Sequence, residues 1–141
     1  MSSNEKSFKR TLVTSALPYA NGNIHIGQIC GAYLPADVYV RFKRLTGSPV
    51  LYICGSDEYG VPITLKALKE GITPREVIDR YHAANAAAFA DLGIAFDLYG
   101  RTSWPLHTET TQSFFLNLYH KGHIEKQTME LWYSEQSKRF L

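Results

Sequence analysis

The side chains in this chain that could do chemistry gather on two polar loops. The denser one spans residues 16–28 and reads Ala-Leu-Pro-Tyr-Ala-Asn-Gly-Asn-Ile-His-Ile-Gly-Gln. His25 and Gly27 stand where a helix should begin. A helix start offers unpaired N–H groups and the positive end of a dipole, so it attracts anions. His25 adds a side-chain donor at that place, and Gly27 lets a ligand approach the backbone closely. A nucleotide phosphate suits the combination. The plainer alternative for His25 is a loop histidine bonded to nearby backbone. The second loop, Gly55-Ser56-Asp57-Glu58-Tyr59-Gly60, follows the apolar run Val50–Cys54. Asp57 either receives a substrate ammonium group or caps a helix starting near Tyr59. Leu17 and Tyr19 flank Pro18 and either line a pocket or pack beneath the loop. Glu58 reads as solvated.

Other chemistries find little footing. His82, His107, His120 and His123 lack metal-ligand spacing, so no metal is expected in this chain. Neither a Gly-x-Ser-x-Gly elbow nor a Walker loop occurs. The chain has 141 residues, 45% of them hydrophobic, which fits one domain with a true core. A formal net charge of +2 is too mild to argue for nucleic-acid binding by itself. Lys9, Arg10, Arg41, Lys43 and Arg44 read as a solvated basic face. Cys30 and Cys54 read as buried, reduced thiols. Trp104, Trp132 and most tyrosines read as core. No apolar run approaches the roughly 20 residues of a membrane span, so no membrane partner is expected and the cytoplasm is the expected compartment.

The elements that position the loops can be read from periodicity. Thr11–Ser15 reads as a strand. Apolar residues at Ile26, Cys30, Leu34, Val38, Phe42 and Leu45 mark one face of a helix, with a kink expected at Pro35. Val50–Cys54 reads as a buried parallel strand. A helix follows from Pro62 to Gly71. Thr73 and Glu76 form a capping box for a long helix ending at Gly93. Phe96–Tyr99 reads as a third strand, and Pro105 opens a helix that ends near Gly122. Residues 124–141 alternate like short strands. The fold class is α/β, the first half of a Rossmann-like, doubly wound parallel sheet. Both polar loops follow strand C-termini, where open α/β sheets bind ligands.

Three stretches in order resemble the methionyl-tRNA synthetase family. They are the 16–27 loop, Ala36-Asp37-Val38-Tyr39-Val40-Arg41, and Cys54-Gly55-Ser56-Asp57-Glu58-Tyr59-Gly60. Phe96-Asp97-Leu98-Tyr99-Gly100-Arg101-Thr102 matches as well. The resemblance implies activation of methionine with ATP and Mg2+, then transfer of the methionyl group to tRNA(Met). It implies ATP contacts at Tyr19, Asn21, Gly22, His25, Gly27 and Gln28, with His25 and Gln28 catalytic. It also implies a methionine pocket at Leu17, Tyr19 and Asp57.

Two departures from the family pattern stand out. The family signature usually ends His-x-Gly-His, and here the last position is Gln28, an amide that cannot become cationic. The family's Lys-Met-Ser-Lys-Ser loop is absent. On this resemblance residues 1–122 form the N-terminal half of the catalytic domain and 123–141 the start of a connective-peptide insertion. Zn2+ would belong to the rest of that insertion, beyond Leu141. The expectation is an N-terminal part of a larger enzyme, inactive alone. The alternatives are a non-catalytic ATP- or adenylate-binding module and a small nucleotidyltransferase of the His-x-Gly-His type.

Overall fold

A computed structural model describes residues 9–140. The chain divides into two compact units, residues 1–107 and 108–141. In the first, β1 (Thr11–Thr14), β2 (Val50–Ser56) and β3 (Leu98–Arg101) form a parallel sheet in that order. Thr14 pairs with Ile53, and Ser56 pairs with Arg101. β2 is the central strand, which is why its run of apolar residues is nearly unbroken.

The segment from β1 to β2 carries α1 (Ile26–Gln28), a π turn over Ile29–Tyr33, and α2 (Leu34–Leu45). The kink expected at Pro35 takes the form of that π turn. The Leu34 N–H reaches back to the Ile29 carbonyl, five residues away, and Pro35 falls in the first turn of α2. A proline costs little there, because its missing N–H has no intrahelical partner to lose.

Between β2 and β3 lie α3 (Val61–Glu70) and α4 (Pro74–Asp91). The Thr73–Glu76 capping box is present: Glu76 N–H donates to Thr73 Oγ1 at 3.2 Å, and Thr73 N–H donates to Glu76 Oε2 at 2.8 Å. Ile29, Tyr33, Val40, Tyr52, Cys54, Phe89 and Ile94 make the main core. A second cluster, Ala20, Ile63, Ala67, Val77 and Ile78, ties the first polar loop to α3 and α4.

α5 (Pro105–His120) starts at the end of the first unit, and the second continues from it to β4 (Tyr133–Ser134) and β5 (Arg139–Phe140), an antiparallel pair. No helix among the described residues is long and apolar enough to cross a membrane.

Several expectations need correction. Cys30 is exposed, because it falls on the outer side of the π turn; only Cys54 is buried, and burial pushes its thiol up to about 11. Trp132 is 85% exposed and Trp104 40%, so neither is core. Arg41 and Arg44 are not merely solvated. Arg41 pairs with the buried Asp37 and reaches the Gly93 carbonyl, and Arg44 meets Asp97 at 2.9 Å. Together they clamp the turn that leads from α4 into β3. The third strand also starts two residues later than the pattern suggests.

Candidate active site

The two polar loops are joined by main-chain bonds. Asp57 N–H donates to the Pro18 carbonyl at 2.9 Å, and Ala20 N–H donates to the Asp57 carbonyl at 2.9 Å. Tyr19 and Asp57 thus face each other as a parallel bridge beyond the ends of β1 and β2. Pro18 has no N–H to give, so only its carbonyl takes part. The alternation of a strand persists through this stretch. Pro18 and Ala20 are buried, while Leu17 and Tyr19 are 46% and 42% exposed. The open side therefore carries an apolar leucine and an aromatic ring beside the half-buried Asp57.

Asp57 is not a helix cap. Its Oδ1 accepts from Tyr59 N–H at 3.4 Å in a local turn, and α3 starts later, with Gly60 at its N-cap position. Gly60 has φ +127°, and a Cβ there would lie 2.6 Å from Tyr19 Oη. Only glycine satisfies both the backbone angle and the tyrosine above it.

His25 is the N-cap of α1, and it forms a reciprocal box with Gln28. Gln28 N–H donates to His25 Nδ1 at 3.4 Å, and His25 N–H donates to Gln28 Oε1 at 3.0 Å. A ring nitrogen that accepts carries no proton, so this contact needs the tautomer with the ring proton on Nε2. A Cβ on Gly27 would come 3.2 Å from the His25 ring. The glycine therefore makes room for the imidazole itself. Asn21 and Gly22 lie half-buried in the turn before His25, and there is open space where a Gly22 side chain would stand.

Glu58 overturns its expected solvation. Its side chain is fully buried and accepts from Arg101 Nε at 2.7 Å and from the Ser103 hydroxyl. Its own N–H donates to Thr102 Oγ1 at 2.9 Å. Arg101 reaches Asp79 as well, and that contact holds the Asp79 carboxyl below its ordinary value. Ser56 is buried and bonded to His82 Nδ1. Asp57 is thus flanked on both sides by anchored residues. The strand alternation Tyr52, Cys54, Ser56, Glu58 is the signal that could have placed Glu58 inside. Asn85 is another residue that the pattern of chemistry misses: its Oδ1 accepts from Ile24 N–H, just before His25. Among the described residues, no group of three or more His, Cys, Asp or Glu is arranged to hold a metal ion.

The family model for class I (M) tRNA synthetases matches residues 11–141. The chain belongs to that family. Among curated members of the class I (M) synthetases, it is 61% identical over 134 residues to a methionine–tRNA ligase of Chlorobium luteolum, covering 95% of this chain and 19% of the relative. It is 55% identical over 137 residues to the methionine–tRNA ligase of Parabacteroides distasonis, covering 97% of this chain and 20% of that one. The chain thus spans about a fifth of the length of the curated relatives it matches. The solved structure of Mycobacterium tuberculosis methionyl-tRNA synthetase in complex with methionyl-adenylate superposes with a TM-score of 0.83 at 28% identity, over 95% of this chain and 26% of that one. The LeuRS of Agrobacterium radiobacter K84, in a ternary complex with tRNA and LeuAMS, gives a TM-score of 0.82 at 25% identity, over 97% of this chain and 18% of that one. The Rossmann-like α/β fold expected for the sheet is that of class I synthetase catalytic domains.

Proposed function

We propose that this chain forms the N-terminal part of the activation site of a methionine–tRNA ligase. The carboxylate of L-methionine attacks the α-phosphate of ATP in line and pyrophosphate leaves. The methionyl group of the adenylate then passes to the 3′-terminal ribose of tRNA(Met), releasing AMP. Asp57 receives the methionine ammonium group. Leu17 and Tyr19 supply an apolar wall with one polar tip, which suits an unbranched thioether side chain. His25 donates its Nε2 proton to phosphate oxygens as charge builds on them, and Gln28 keeps the ring in place. Asn21, Gly22 and Gly27 line the ATP side of the loop.

The observation that carries this reading is the Tyr19–Asp57 bridge. It holds an ammonium acceptor beside an exposed apolar wall at the C-terminal edge of a parallel sheet. A nucleotidyltransferase for phosphorylated substrates would want a free cation near Asp57. Arg101, the cation behind that loop, is neutralised by Glu58 and Asp79. The described residues form no cage for Mg2+, which would enter with the ATP phosphates, and none for Zn2+. Residues 1–122 belong to the catalytic half-domain in this reading, and 123–141 open the connective peptide. The cytoplasm is the proposed compartment, which suits two unbridged cysteines.

The test replaces the matching segment of the Chlorobium luteolum ligase with this chain and measures methionine-dependent ATP–pyrophosphate exchange. Exchange that Asp57→Ala reduces by about 100-fold or more, through methionine KM, supports the reading. A soluble, folded graft without exchange would refute it.

A further inference from the structure

Two successive main-chain N–H groups, those of Ile24 and His25, each end on the carbonyl oxygen of an amide side chain. His25 N–H donates to Gln28 Oε1 at 3.0 Å, a local bond. Ile24 N–H donates to Asn85 Oδ1 at 3.0 Å, a bond that crosses from the first loop to the middle of α4. Asn85 is 1% exposed. It lies four residues from Tyr81 and four from Phe89, in the apolar stripe of its helix.

An amide is a costly residue at such a position. Burying a polar group without its hydrogen bonds is unfavourable, and Asn85 Nδ2 has no partner among the described residues. An aliphatic side chain would fill the stripe without that penalty. The one bond that Asn85 Oδ1 makes goes to the residue before His25. Without it, the Ile24 N–H would lose its partner, and the His25 end of the loop would lose its hydrogen bond to α4.

We propose that Asn85 is a positioning residue for His25. It holds the Ile24 peptide from below while Gln28 holds the His25 peptide from the helix side. The imidazole is thereby presented at one place and in one orientation before any ligand arrives, which is how a preorganised donor gains its effect on a developing charge. Asn85 itself touches no reacting atom. The inference rests on the role given to His25 above.

The test has two readouts. Amide hydrogen exchange by NMR on the full 141-residue chain reports the clamp directly. The Ile24 N–H should be protected in the unaltered chain and exchange about tenfold faster or more in Asn85→Ala, with Val13 and Tyr52 in the sheet unchanged. Asn85→Asp keeps an acceptor at the same position and should retain the protection, which guards against a variant that simply fails to fold. An unprotected Ile24 in the unaltered chain, or a rate that Asn85→Ala leaves alone, overturns the proposal. In the grafted ligase, Asn85→Ala should lower kcat for pyrophosphate exchange by about tenfold or more, with methionine KM within about threefold. A change confined to KM also overturns it. Absence of exchange in the unaltered graft refutes the activation reading instead, and Ile24 protection still judges the clamp.

Discussion

His25 and Gln28 hold each other's main chain. Each side chain accepts a hydrogen bond from the other's backbone N–H, at 3.4 and 3.0 Å. The amide at the position where the family signature usually has a second histidine is therefore engaged in fixing the first. Glutamine and glutamate both suit the third helical position of such a box.

Substitutions at Gln28 should follow this geometry. Gln28→Glu should keep the stability of the chain within about 0.5 kcal/mol, and Gln28→Ala should cost about 1 kcal/mol, as loss of a helix cap does. Urea unfolding measures both. In the grafted ligase, Gln28→His should stay within about tenfold in rate, or ~1.4 kcal/mol, since a histidine can also accept a bond and donate to phosphate. Complete loss of exchange would give Gln28 a different role.

Gly60 and Tyr19 form a second linked pair. Gly60→Ala puts a side chain at φ +127° and 2.6 Å from Tyr19 Oη. The substitution should cost about 1–3 kcal/mol in strain and push Tyr19 away from its place, raising methionine KM. Removing the hydroxyl relieves the collision but not the backbone angle. Tyr19→Phe should therefore rescue part of the loss, with a coupling of about 0.5–3 kcal/mol in a double-mutant cycle. Simple additivity would show that the two residues do not press on each other.

Both polar loops are legible in the sequence because Pro, Gly and Asn punctuate a chain whose apolar runs have clear periods. The capping box at Thr73 and Glu76 is legible for the same reason, since threonine is a usual cap. The equivalent box at His25 and Gln28 is not, because histidine is seldom in that position. Glu58 is misread because its partners, Arg101 and Ser103, lie far along the chain and meet it only once β2 and β3 pair. Asn85 is visible as a polar residue in an apolar stripe, yet nothing local says what it bonds. The π turn is half legible: Pro35 announces a disturbance, but the packing of Ile29 and Tyr33 into the core fixes its form.

The Glu58–Arg101 pair should be costly to break from one side. The Glu58 side chain is fully buried and that of Arg101 is 13% exposed. Arg101→Ala leaves the buried Glu58 carboxylate without its cation and should destabilise the chain by about 3–5 kcal/mol, whereas Glu58→Ala leaves Arg101 paired with Asp79 and should cost less. The double substitution should cost clearly less than the sum of the two. Equilibrium unfolding of the three variants measures this, and strict additivity would mean that the pair carries no coupling.

His82 should make stability sensitive to mild acid. Its ring stacks on Tyr99 at 5.0 Å, its Nδ1 meets the Ser56 hydroxyl, and Glu58, Asp79 and Arg101 face it. Burial lowers its pKa below the ordinary 6.5, Arg101 lowers it further, and Glu58 and Asp79 pull the other way. The unfolded chain therefore takes up a proton at a higher pH than the folded one does. The stability that comes from holding His82 neutral is fully present above 6.5 and is lost as pH falls from there toward the lowered value. The Asp79 carboxyl, held low by Arg101, loses its contribution only in stronger acid. Unfolding free energy should drop as pH falls below the ordinary histidine value of 6.5 in the unaltered chain, and His82→Gln should flatten that drop while leaving the stronger-acid decline in place. The same slope in both proteins would show that the proton is taken up elsewhere.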